Sequence, residues 1–197
     1  VLAGCATTQT SSSFEPRSIN DIRFRDRSQS RYDDEVRVTV AVPTADENKA
    51  LFSANLYLRE IQPVWVEVEN HSDRTYYLLS IPIDPNYFSP LEAAYALHGG
   101  LDQSARTEME KYYRRMNFTN PILPNTAVSG FIFTNLDEGE KIVHVTLIAV
   151  ERVREIRRGE SGQSLLVLDG IDEPVEVSRR HLPAVRRALR GDDWRRW

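Results

Sequence analysis

The side chains best placed for chemistry in this sequence are four carboxylates, Asp84, Glu92, Asp137 and Glu138. Paired carboxylates can divide acid and base roles when burial raises the pKa of one above the other. The loops Asp84-Pro85-Asn86 and Asp137-Glu138-Gly139-Glu140 also offer the oxygen atoms that Ca²⁺ prefers, so Asp84, Asn86, Asp137 and Glu138 form a candidate ligand set. Neither loop has EF-hand spacing. Both strings are also ordinary turn formers, with Asn135 or Gly139 supplying a left-handed position. The four histidines, His71, His98, His144 and His181, lie far apart in sequence, and none stands with a carboxylate at the spacing of a zinc-binding helix. The nearest approach to a nucleophile elbow, Gly159-Glu160-Ser161-Gly162-Gln163, does not match it, and no glycine-rich phosphate cradle occurs. The residues therefore imply no nucleotide and no cofactor. A net charge of −4 argues against a general affinity for nucleic acid.

The single cysteine, Cys5, excludes an internal disulfide and any CxxC metal or redox site. Its neighbours give it another role. Leu2-Ala3-Gly4-Cys5 resembles the lipobox of bacterial lipoprotein precursors, in which small residues precede the cysteine that is lipidated and becomes the mature amino terminus. The resemblance implies that Val1 to Gly4 are the end of a signal peptide and that Cys5 carries acyl chains. Two or three such chains hold a protein stably on a membrane. Ala6 to Ser13 is small and polar and reads as a disordered tether. Ala6 after the cysteine is similar to lipoproteins sent to the outer membrane of Gram-negative bacteria, which places the expected domain in the periplasm. No apolar run approaches the roughly 20 residues of a membrane-spanning helix.

These groups need elements to hold them. Residues 14–34 are rich in Arg, Asp and Ser with few apolar anchors, among them Phe14, Ile19, Ile22 and Phe24, and read as a lead-in; the domain is expected from Glu35. Val36, Val38, Val40 and Val42 alternate with Arg37, Thr39 and Ala41, the period of a half-buried strand. Val64 to Glu69 repeats that pattern, and Thr75 to Ile81 is expected to return beside it as a hairpin. Ser89-Pro90 offers an N-cap and a first helical proline, and Asp102 can cap a second helix carrying Met109, Tyr112, Tyr113 and Met116. Strands are then expected at Val128 to Phe133, along the whole of Lys141 to Val150, and as a hairpin of Ser164 to Leu168 with Val175 to Val177. Without βαβ alternation, the pattern predicts a mainly β, immunoglobulin-like antiparallel sandwich over 35–177, with a helical insertion at about 89–116 and a C-terminal helix. Its expected core includes Val64, Val66, Val68, Phe131, Phe133, Val145 and Leu147.

Three blocks carry a further resemblance: Ile61 to Asn70, Asp84 to Ala94, and Gly130 to Gly139. In order they resemble the C-terminal domain of LssY, an accessory component of a bacterial type I secretion system. The resemblance implies an envelope module without established catalytic residues. In that family more sequence follows the helix similar to Leu182–Leu189, whereas this sequence stops at Trp197.

Residues 178–197 hold seven arginines against two aspartates, opposite in sign to the whole. Arg186, Arg187 and Arg190 fall on the polar side of a short helix, and Trp194 and Trp197 follow. This composition suits an anionic membrane surface or a protein contact. The functional expectation is thus a lipid-anchored, non-catalytic binding or assembly module with a membrane and an envelope protein as partners. The alternative is an envelope hydrolase or transferase using Asp84, Glu92, Asp137 and Glu138.

Overall fold

The computed structural model describes residues 13–33, 35–80, 83–137, 141, 143–177, 179 and 182–190. The protein is mainly β, with three antiparallel sheets and four α-helices among the described residues. The largest sheet has the order β1 (Gln29–Asp33), β2 (Val36–Ala41), β3 (Ile61–Asn70), β5 (Thr126–Asn135). β4 (Tyr76–Leu79) pairs with β6 (Thr146–Ala149), and β7 (Val153–Arg158), β8 (Ser164–Leu168) and β9 (Val175–Val177) form the third sheet.

Alternation sorts the strand residues into layers. On β3, Val64, Val66 and Val68 face a cluster that includes Leu78 and Ile132, whereas Trp65 faces a cluster with Phe24, Phe52, Phe131 and Phe133. Both faces of the central strands are buried, so Phe131, Ile132 and Phe133 are all in the core. The aromatic face is covered by α1 (Ala45–Phe52), α2 (Pro90–Tyr95) and α3 (Gln103–Met116), which contribute Phe52, Ala93, Ala94, Met109, Tyr112 and Tyr113. The β4–β6 pair lies on the opposite face. Its Leu78 points to the large sheet, and Tyr77, Leu79 and Ile148 point away, to a third cluster with Leu166, Leu168 and Val177. Helix α4 (Leu182–Arg190) closes that cluster with Val185 and Leu189, leaving Arg186 and Arg187 exposed.

The helix caps stand where the sequence puts them. Ser89 and Glu92 form a reciprocal capping box on α2, and the Asp102 carboxylate accepts from the Ala105 amide on α3. Four expectations are corrected. First, Thr75 to Ile81 is not the hairpin partner of β3, whose two edges are taken by β2 and β5. Buried Asn70 bends the chain out of the sheet: its amide donates to the carbonyls of Arg74 and Leu123 at 2.7 and 3.0 Å and its oxygen accepts from Ser72. Second, of the strand expected over Lys141 to Val150 the described residues form only Thr146–Ala149, which matches the four residues of its partner β4. Val145 and Leu147 are correspondingly half-buried. Third, packing begins well before Glu35. Phe24 is fully buried, with its ring 5.9 Å from Trp65 and 5.7 Å from Phe131, and Phe14 meets Tyr112 edge-on. Fourth, Asn135 does not supply a left-handed turn position, since it is the last residue of β5.

Candidate functional site

The described carboxylates singled out by sequence are each engaged by other groups. Asp84 is buried, and its Oδ2 accepts from the Asn135 backbone N–H at 2.6 Å and from the Asn135 side-chain amide at 2.9 Å. Its Oδ1 accepts from the Asn86 N–H at 2.8 Å, an Asx turn. Both oxygens are thus engaged by neutral donors that fix the loop against β5. Asn86 is exposed, its carbonyl accepting a longer bond of 3.4 Å from Asn135. Glu92 accepts from the Ser89 N–H at 2.7 Å as part of the α2 cap. Asp137 is exposed and pairs with the Lys141 ammonium at 2.6 Å. Glu138 and Cys5 lie outside the described residues, as do Trp194, Trp197 and the Arg190 side chain. Among the described residues no group of three or more His, Cys, Asp or Glu is placed to hold a metal ion. His71 sits 3.7 Å from Glu69 and His98 3.5 Å from Glu110, both pairs near the surface; His144 is exposed.

What the fold does assemble is a groove of about 630 Å³ beside the edge hairpin β1–β2. The large sheet is wider than the β4–β6 pair. The β3 valines are fully covered, but Val38 and Val40, which pair across the sheet with Val68 and Val66, overhang and stay half-buried. Val42 continues their row, and Val143 and Val145 form part of the lining. On β1, Gln29 stands beside Val40 and Arg31 beside Val38, on the same face, so these side chains edge the valine floor. Arg27, Gln62 and Lys141 complete the polar part of the wall. Among the described residues the lining contains three cations and no acid.

Two of those cations have anionic partners outside the lining. Arg27 bonds both oxygens of Glu47, which also closes the α1 capping box with Thr44. The bond from Arg27 holds the Glu47 carboxyl below the usual glutamate range, and the same bond raises the guanidinium. Lys141 pairs with Asp137 and also donates to the Asn135 carbonyl at 3.1 Å. Arg31 reaches only the Ser30 carbonyl, at 3.4 Å, and has no carboxylate partner among the described residues.

A smaller cleft of about 200 Å³ lies near the start of α2, lined by Tyr87, Phe88, Ser89, Asn117, Asn120 and neighbours. Tyr87 is nonetheless buried in the core, and the Phe88 N–H donates to the Phe133 carbonyl at 2.7 Å. The aromatic run before α2 is therefore mainly packing, with its polar flank at a cleft.

The groove residues escaped the sequence reading because the stretch carrying Arg27, Gln29 and Arg31 looked like a lead-in. One signal was available: Gln29 and Arg31 alternate on one strand face, beside the alternating valines of the next strand. Compared with known proteins, the chain matches no family model, no curated protein and no solved structure.

Proposed function

We propose that this protein is a non-catalytic binding module, carried at the bacterial envelope on a lipidated Cys5, and that it binds through the groove beside β1–β2. The observation that carries the reading is the groove itself: a half-exposed valine floor with a basic rim, of about 630 Å³, within the roughly 300–1,000 Å³ of small-molecule sites. The acids support it from the other side. Among the described residues, Asp84 is engaged by a loop clamp, Glu92 by a helix cap and Asp137 by an ion pair, contacts that account for these acids without a reaction.

Kinship with the LssY C-terminal domain belongs to the same proposal. Its three blocks are neighbours in space: β3 pairs with β5 from Ile61↔Asn135 to Asn70↔Thr126, and Asp84 and Phe88 both bond to β5. An immunoglobulin-like relationship of the facing sheets is proposed on the antiparallel pairing within each sheet. The basic C-terminal segment, with Arg186 and Arg187 exposed on α4, is proposed as a second contact with an anionic membrane or an envelope partner. No described helix is long and apolar enough to cross a membrane.

Two measurements test the reading. In cells expressing the precursor with its own leader, Cys5→Ser is expected to move the protein from the membrane to the soluble fraction; unchanged fractionation contradicts the anchor. In vitro, a neutral solvatochromic dye such as Nile red is expected to bind the purified chain and to be displaced by Val143→Trp, which fills the groove. Equal dye binding by both proteins contradicts the groove as the binding surface.

A further inference from the structure

Resting on the reading of the groove as a binding surface, its chemistry narrows the occupant. The floor of Val38, Val40 and Val42 and the facing Val143 and Val145 offer no hydrogen-bonding side chains. A polypeptide laid along that floor would find partners for its backbone only at the polar rim, and each group left unpaired over the valines would cost as much as a lost hydrogen bond. A hydrocarbon chain carries no such groups and gains by every methylene it buries. The rim supplies the complement. The three ionisable side chains of the described lining are cations, and Arg31 is exposed on the edge strand and forms no ion pair with a carboxylate among the described residues. A planar guanidinium of this kind binds a carboxylate or phosphate with two parallel hydrogen bonds.

We infer that the groove takes a single-chain anionic amphiphile, with its acyl chain along the valine floor and its acidic head at the basic rim. The volume suits one chain with its head and not a bulky multi-chain lipid. Arg31 is the residue that selects the charge, because Arg27 and Lys141 already face Glu47 and Asp137.

The test compares two probes of equal chain length, oleate and neutral monooleoylglycerol, below their micellar concentrations, against the full chain and its variants. The wild type is expected to bind oleate about tenfold more tightly than monooleoylglycerol, with the difference shrinking in high salt. Arg31→Glu sits on an exposed edge and leaves the core intact; it is expected to abolish the preference for oleate over monooleoylglycerol. Val143→Trp is expected to abolish binding of both probes. Equal wild-type affinities for the two, both lost in Val143→Trp, overturn the anionic ligand and leave the binding surface standing. Absence of binding by either probe and by the dye overturns both. Oleate binding that neither variant alters places the amphiphile elsewhere and overturns the assignment.

Discussion

The Asp84 carboxylate grips Asn135 twice, accepting from its backbone N–H at 2.6 Å and its side-chain amide at 2.9 Å, and so ties the loop after β4 to the end of β5. Asp84 is only 6% exposed, so removing the acceptor strands donors away from water. Asp84→Ala is expected to cost about 2–3 kcal/mol in urea denaturation, as bonds to charged groups do. Asp84→Asn, which keeps one acceptor, is expected to cost less. A stability unchanged in the alanine variant would show that the clamp does not hold the loop.

Gly130 marks a different constraint. A Cβ built there would lie 2.5 Å from the Phe118 nitrogen and 2.6 Å from its Cα, because the chain after α3 crosses β5 at this point and the Phe118 N–H donates to the Phe131 carbonyl. These are backbone atoms and cannot swing aside. Gly130→Ala is expected to lose about 2–3 kcal/mol, the upper part of the range for overpacking. Thermal melts that show no loss would contradict the close approach.

Tyr113 is fully buried against Phe52 and Phe133, and its hydroxyl has no hydrogen-bond partner among the described residues. Burial pushes its phenol far above the ordinary tyrosine range, and Tyr112, Tyr57 and Tyr77 are raised for the same reason. In the unfolded chain these groups ionise near about pH 10. The raised folded value means that this contribution is fully present below that pH and is lost as the pH rises through and beyond it. Stability is therefore expected to fall steeply above about pH 10, and Tyr113→Phe is expected to flatten the fall without lowering stability at pH 7. A variant with the same alkaline slope as the wild type would contradict this.

Local signals were legible in the sequence, and contacts between distant segments were not. Ser89 with Glu92 and Asp102 with Ala105 could be read because a cap is decided within four residues. The same grammar marks Thr44 and Glu47 at the start of α1, a helix the periodicity alone left unread. The fate of β4 could not be read this way. Its backbone is met on one side by β6 and on the other by Asn120, whose side-chain amide pairs with both the N–H and the carbonyl of Leu78. Nothing in the string Tyr76 to Leu79 encodes that partner. The groove was hidden for the same reason, since it arises from the unequal widths of two sheets. The acids suggested a site by type alone, and tertiary structure assigned Asp84, Glu92 and Asp137 separate structural contacts.

The most direct test of the groove as the binding surface is photo-crosslinking in the native envelope. A diazirine-bearing aliphatic residue placed at position 143 reports what occupies the groove, and one at exposed Leu58 serves as the control. Intact-mass analysis of the recovered protein is expected to show an adduct of small-molecule mass at position 143 and none at position 58. Equal or absent labelling at the two positions would contradict the account.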